Sequence, residues 1–174
     1  MLWFDMDAET AAKHYVKAFA NSKITHVETY PEGGPVPAGS VLTVAFELAG
    51  QHFTGLNAGP MFKPNEAVSF VVSCEDQREV DFLWDHLAQG GAHSMCGWLK
   101  DKWGFSWQIV PKRFLELVST SDAIAKARVF GAMMQMQKFD ITVIEKAAMG
   151  QGMFQQAIIF AQRKRDSSTC CEKL

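Results

Sequence analysis

The chain has 174 residues, 48% of them apolar and 21% charged, with a formal charge of −2 and a pI near 6.2. Such a chain buries roughly two thirds of its unfolded surface without help from disulfides. The charge balance argues against the strongly basic face of a nucleic-acid binder, and no apolar run reaches the roughly eighteen residues of a membrane span.

The first residues, "MLWFDMDAET", lack the charged and long apolar regions of a secretory leader. Met1 to Asp5 reads as a short strand. Asp7 is expected to cap a helix over "DAETAAKHYVKAF", with Ala8, Ala11, Ala12, Tyr15, Val16 and Phe19 on one stripe. "KITHVETY" reads as a strand with Ile24, His26 and Glu28 on one face. "PEGGPVPAGS" is a loop by composition, and "VLTVAFELAG" with "QHFTGLNAGP" makes a hairpin turning at Gly50.

The pattern then restarts. "AVSFVVSC" is a strand, and Asp76 with Glu79 resembles a capping box for "DQREVDFLWDHLAQGG". Val80, Leu83, Trp84 and Leu87 form that helix's buried face, and Gly90 and Gly91 end it. "AHSMCGWL" and "FSWQIV" are strands around a turn at Asp101 to Gly104, stopped by Pro111. The order strand–helix–strand–strand–strand thus occurs twice, an internal repeat at about residues 1–60 and 65–111. The class is α+β, with a sheet covered by helices on one face and polar-spotted on the other.

Residues 112–148 read as helices: "KRFLELV", "SDAIAKARVFGAMMQMQK" and "DITVIEKAAMG". The middle one is apolar on two sides. Ala125, Val129, Ala132 and Met136 make one stripe, Ile124, Ala127 and Met134 the other, so it is expected to be sandwiched within the chain or between two chains. Residues 149–174 form a tail holding an amphipathic stretch, "MFQQAIIFAQRKR", whose basic run Arg163 to Arg165 reads as a solvated helix end. The four cysteines make no CxxC pair. Cys74 and Cys96 read as reduced and near the core, while the vicinal Cys170 and Cys171 cannot bridge without strain. A reducing cytoplasm is the expected compartment.

The repeated unit resembles the vicinal oxygen chelate superfamily of glyoxalases, bleomycin-resistance proteins and dioxygenases. "LWFDMDAETAAKHYVKAF", "LNAGPMFKPNEAVSF", "DQREVDFLWDHL", "CGWLKDKWGFSWQIVP" and "AMMQMQKFDI" together resemble its PhnB-like members, often labelled 3-demethylubiquinone-9 3-methyltransferase. The likeness covers about residues 1–148 and implies two βαβββ modules forming a cupped mixed sheet. It also implies a homodimer, in keeping with the two-sided helix.

In metal-using members of the superfamily, each module supplies ligands from its first and last strands. The last-strand ligand, commonly Glu, lies four residues beyond the turn glycine. Here that position is Thr54 in the first module and Gln108 in the second. The first-strand positions fall near Met1 and Ser69. None of these is His, Asp, Glu or Cys, whereas a divalent ion needs about three good donors. A neutral amide offers a ligand both a donor and an acceptor instead.

The candidate ligand contacts are Gln108, Ser106, Thr54, His52 and Asn57, with Trp98 and Trp103 as a stacking wall. Trp3 could serve as wall or core. Trp84 and Trp107 are expected in the core. His26 and Glu28 share a face but do not make a metal site alone, and Asp81 and Asp85 read as solvated. His14, His86 and His93 read as surface or cap residues. No catalytic triad, HExxH or P-loop pattern is present, nor the glycine-rich fingerprint of a nucleoside cofactor. The reading that follows is a metal-free protein binding a small organic molecule, with no cofactor. The alternative is a metal-dependent lyase, isomerase or dioxygenase of the same superfamily. A methyltransferase is the weakest reading, and whether the chain is an enzyme stays open.

Overall fold

A computed structural model describes residues 1–151. The expected amphipathic stretch from Met153, the basic run and the vicinal cysteines lie outside the described residues. The first module is β1 (Leu2–Phe4), α1 (Ala8–Ala18), β2 (Lys23–Thr29), β3 (Val41–Leu48) and β4 (Gln51–Asn57). The second is β5 (Ser69–Cys74), α2 (Gln77–Leu87), β6 (Ala92–His93), β7 (Trp98–Lys100) and β8 (Ser106–Pro111). Three helices follow: α3 (Lys112–Thr120), α4 (Ala123–Met133) and α5 (Ile141–Ala148).

Each module makes a four-stranded sheet, in the order β1-β4-β3-β2 and β5-β8-β7-β6. The second order repeats the first one module later, so the duplication holds in topology as well as in sequence. The fold is α+β, built from two βαβββ modules. In the first sheet β1 runs parallel to β4, and β3 is antiparallel to both β4 and β2. A parallel pair needs a long crossover, and α1 lies within it. The hairpin joining β3 to β4 turns on Ala49 and Gly50, both at positive φ (46° and 85°). Such a two-residue turn matches the twist of the strands.

Helix starts depart from expectation in one place. Asp7 occupies the N-cap of α1, but its side chain makes no capping bond. The Ala8 N–H instead donates to Asn57 Oδ1 at 2.9 Å, from the end of β4. At α2 the expected reciprocal bonds form with a shift of one residue. Asp76 Oδ1 accepts from the Glu79 N–H at 2.9 Å, while Glu79 Oε2 accepts from the N–H of Glu75 at 2.6 Å. Asp122 and Asp140 cap α4 and α5 through their carboxylates.

The stretch "AHSMCGWL", expected as one strand, makes two. Residues 94–97 turn the chain back, so that Ala92 and His93 pair with Lys100 and Leu99. Cys96 (φ 60°) and Gly97 (φ 79°) supply the reversal. A Cβ on Gly97 would stand 2.6 Å from the Phe139 ring, so the position takes only glycine.

The chain forms two compact units. The first comprises residues 1–72, 82–94 and 98–108. Its core includes Phe4, Ala11, Ala12, Tyr15, Val44, Phe46, Leu83, Trp84, Leu87, Leu99 and Trp107. Trp84 and Trp107 are therefore core residues, as the alternation predicts. The second unit comprises residues 73–81, 95–97 and the described residues from Ile109 on. Its core gathers Cys74, Val80, Ile109, Phe114, Leu117, Ala125, Val129, Phe139 and Ile144. Burial pushes the Cys74 thiol up to about 12. Of the two expected stripes, Ala125 and Val129 are buried and Ile124 is exposed; α4 stops at Met133, short of the expected end, so Met134 and Met136 lie beyond it. No helix among the described residues is long and apolar enough to cross a membrane.

Candidate functional site

Strand alternation decides which side chains share a face. In the second sheet Leu99 lies opposite Trp107, Trp98 opposite Gln108, and Lys100 opposite Ser106. The Trp107 indole packs on Tyr15 (5.3 Å), Phe19 (5.9 Å) and Phe70 (4.9 Å). Gln108, Ser106, Trp98 and Lys100 therefore line the other face together. In the first sheet Phe53 stacks on Phe46 and Gly55 abuts Ala8 and Phe4. Thr54 and His52 turn to the opposite face, beside Ala45 and Glu47.

The positions that a superfamily metal would use carry Met1, Thr54, Ser69 and Gln108. The Gln108 Nε2 donates to Ser69 Oγ at 2.8 Å. The two side chains thus meet, as first- and last-strand positions should, but they satisfy each other. In the first module Leu2 lies opposite Gly55, which brings Met1 alongside Thr54. A thioether, two hydroxyls and an amide supply no negative charge and no imidazole, so these residues do not fit a divalent ion. No group of three or more His, Cys, Asp or Glu able to hold a metal occurs among the described residues. His26 and Glu28 bond each other on the surface at 3.1 Å.

The remaining candidates separate. Ser106 is 1% exposed and its Oγ has no hydrogen-bond partner. A buried orphan hydroxyl is uncommon and costs stability. Asn57 is also 1% exposed, and its side-chain oxygen, side-chain nitrogen and backbone carbonyl are all engaged. Its Oδ1 takes the Ala8 N–H, its Nδ2 donates to the Val41 carbonyl at 3.0 Å, and its own carbonyl accepts from Tyr30 OH at 2.6 Å. Expected as a rim contact, Asn57 is instead a pin between β4, β3 and the start of α1, because the chain turns there and leaves the Ala8 N–H needing an acceptor. Among the described residues no hydrogen bond or ring contact joins the Gln108 face to the Thr54 face.

Trp103 belongs to a different place, a cavity of about 330 Å³ in the first unit. Trp3, Phe4, Asp5 and Asp7 line one side, Pro60, Phe62, Lys63 and Pro64 another, and Lys100, Lys102, Trp103 and Gly104 a third. Of the residues expected to contact a ligand, only Trp103 lines it. Composition points to no such cavity, because its walls come from three separate stretches of the chain. The Trp3 Nε1 donates to the Gly59 carbonyl at 2.8 Å, which fixes the indole, and Phe62 meets it edge-on at 4.8 Å. Lys100 is paired with Glu66.

Beneath this cavity lies a buried polar cluster that sequence reading treated only as a turn. Asp101, 3% exposed, accepts four hydrogen bonds. Tyr15 OH (2.6 Å) and Trp107 Nε1 (2.8 Å) donate to Oδ2, while the N–H groups of Trp103 (2.9 Å) and Phe105 (3.0 Å) donate to Oδ1. Burial pushes the Asp101 carboxyl up from its usual range, against the donors that hold it down. Burial and the Asp101 charge together raise Tyr15 far above the usual phenol value. Every acceptor site is filled, so the cluster braces the turn carrying Trp103. His14 and His86, expected apart, stack at 4.2 Å, and the His86 Nε2 lies 3.0 Å from the His14 carbonyl. Burial and the neighbouring His86 lower the His14 pKa. Asp81, expected to be solvated, pairs with Lys138 at 2.7 Å.

A family model described as 3-demethylubiquinone-9 3-methyltransferase matches residues 1–110. No curated protein matches. A PhnB protein structure from Bacillus cereus, bearing the same methyltransferase label, is 35% identical, with a TM-score of 0.57 over 63% of this chain and 95% of its own. The structure of protein PA1353 from Pseudomonas aeruginosa has a TM-score of 0.53 at 16% identity, over 63% of this chain and 92% of its own, and shares the fold. With its duplicated βαβββ topology and this match, the chain belongs to the 3-demethylubiquinone-9 3-methyltransferase family, as a PhnB-like domain.

Proposed function

We propose that this chain is a binding protein that takes a small organic molecule without the help of a metal. The hydrogen bond from Gln108 to Ser69 carries the reading. Two positions that would hold a cation in metal-using relatives carry neutral groups already engaged with each other. The same face offers a ligand the Gln108 carbonyl and the Trp98 ring, with the Ser106 hydroxyl sealed beneath them, and the first sheet offers Thr54 and His52. Such a mix of apolar wall and few polar contacts is typical of small-molecule sites. The activity in the family's name finds no support in the described fold. The first sheet has one parallel pair, β1 with β4, and two antiparallel pairs, in place of the run of parallel strand–glycine loop–helix units that holds a nucleoside cofactor.

The protein is further proposed to act as a homodimer in a reducing cytoplasm. Ile124 on α4, 71% exposed, and Met134 just beyond its end, 59% exposed, are apolar surface suited to a second chain. The binding reading is tested by thermal shift against a library of small organic molecules, with and without a chelator. A ligand that binds only the folded state raises the melting temperature. Stabilisation that survives the chelator is the expected result. Stabilisation that vanishes with chelator and returns with a divalent metal would overturn the reading.

A further inference from the structure

We propose that the cavity between Trp3, Phe62 and Trp103 is a binding site for a compact aromatic zwitterion, a ring bearing both an acid and an amine. The proposal rests on the binding reading above and gives it a place and a ligand class. It moves the site away from the Gln108 and Thr54 faces, where a superfamily metal would stand.

Three observations lead there. First, the walls are aromatic and held in position. Trp3 is fixed through its hydrogen bond to Gly59, and Phe62 packs against its edge. Trp103 is anchored through its backbone N–H on Asp101. Walls ordered before binding reduce the entropy lost on binding. Second, Phe62 is 60% exposed and its neighbour Met61 76%. Large apolar side chains at a cavity mouth gain by being covered. Third, the charges on the lining are divided by wall. Asp5 and Asp7 stand on the connection from β1 to α1, Lys63 on the connection from β4 to β5, and Lys102 on the turn from β7 to β8. Among the described residues none of these four forms an ion pair, whereas Lys100 is engaged by Glu66. Two acidic and two basic residues thus line one cavity without pairing with each other. A ligand with one sign of charge would meet its own sign across the cavity, and a zwitterion satisfies both walls. The Lys102 ammonium lies over the Trp103 ring, 5.9 Å from its centroid, which sets a positive charge beside that wall for the ligand's acid.

Calorimetric titration with three molecules of one skeleton tests this: L-phenylalanine, 3-phenylpropionate and 2-phenylethylamine. L-phenylalanine is expected to bind at least about tenfold more tightly than either of the others. Phe62→Ala should weaken it. The double variant K63Q/K102Q should erase its advantage over 2-phenylethylamine, and D5N/D7N its advantage over 3-phenylpropionate. These residues lie on the surface of the connections, and thermal unfolding of each variant verifies its fold. Equal binding of a singly charged analogue, or no binding of any of the three, would overturn the proposal. So would a loss of binding that follows Gln108→Ala and Thr54→Ala but not Phe62→Ala. In each of these cases library ligands that bind despite chelator would leave the metal-free reading standing.

Discussion

Replacing Asp101 with alanine removes the acceptor for two buried side-chain donors, Tyr15 OH and Trp107 Nε1, and for two backbone N–H groups. A buried donor left without a partner costs about 1–3 kcal/mol. Removing a buried charge returns part of that, and water can reach the backbone groups of the turn. The net loss should be about 3 kcal/mol, a large share of the roughly 5–15 kcal/mol that holds a domain together. For a chain of this length that is a fall of roughly 6–12 °C in melting temperature. Tyr15→Phe removes one donor but leaves the carboxylate three partners, so it should cost only about 1–2 kcal/mol. Urea denaturation of the two single variants and the double variant measures both values and their coupling. Because Tyr15 and Asp101 share one bond, the double variant should lose less than the sum. An Asp101→Ala protein within about 0.5 kcal/mol of the parent would refute the view that this cluster braces the turn.

Two further outcomes follow from single residues. His14 has a lowered pKa in the folded state, so the unfolded chain binds the proton more readily. Its contribution is present above the unfolded value and is lost as pH falls below it. Melting temperature should therefore drop on acidification through the histidine range, less steeply in His14→Asn, and identical slopes would contradict this. Gly97→Ala should cost at least about 2 kcal/mol, from a Cβ forced against Phe139 at a positive φ, measured by thermal unfolding. A neutral effect would mean that the turn at residues 94–97 rearranges freely.

The duplication was legible because each module repeats the same hydrophobic periods. Val80, Leu83, Trp84 and Leu87 fall on one helical stripe, and Trp107 alternates with Gln108. The split between β6 and β7 was not, since Cys96 carries no sign that it will adopt a positive φ. Asn57 and Asp101 look like ordinary turn residues in sequence. Their roles come from partners 49 residues away at Ala8 and 86 residues away at Tyr15, separations that local patterns do not encode. The aromatic cavity was hidden for the same reason. Trp103 was a candidate by its neighbours, but Asp5, Lys63 and Lys102 become a set only when three connections converge.

The central claim concerns the pair formed by Gln108 and Ser69. Elemental analysis of protein purified without chelator, then incubated with zinc, nickel, cobalt or manganese and desalted, addresses it most directly. The account predicts far less than one equivalent of any of these metals per chain, and no change on replacing Gln108. One tightly held equivalent that disappears in Gln108→Ala or Ser69→Ala would contradict it.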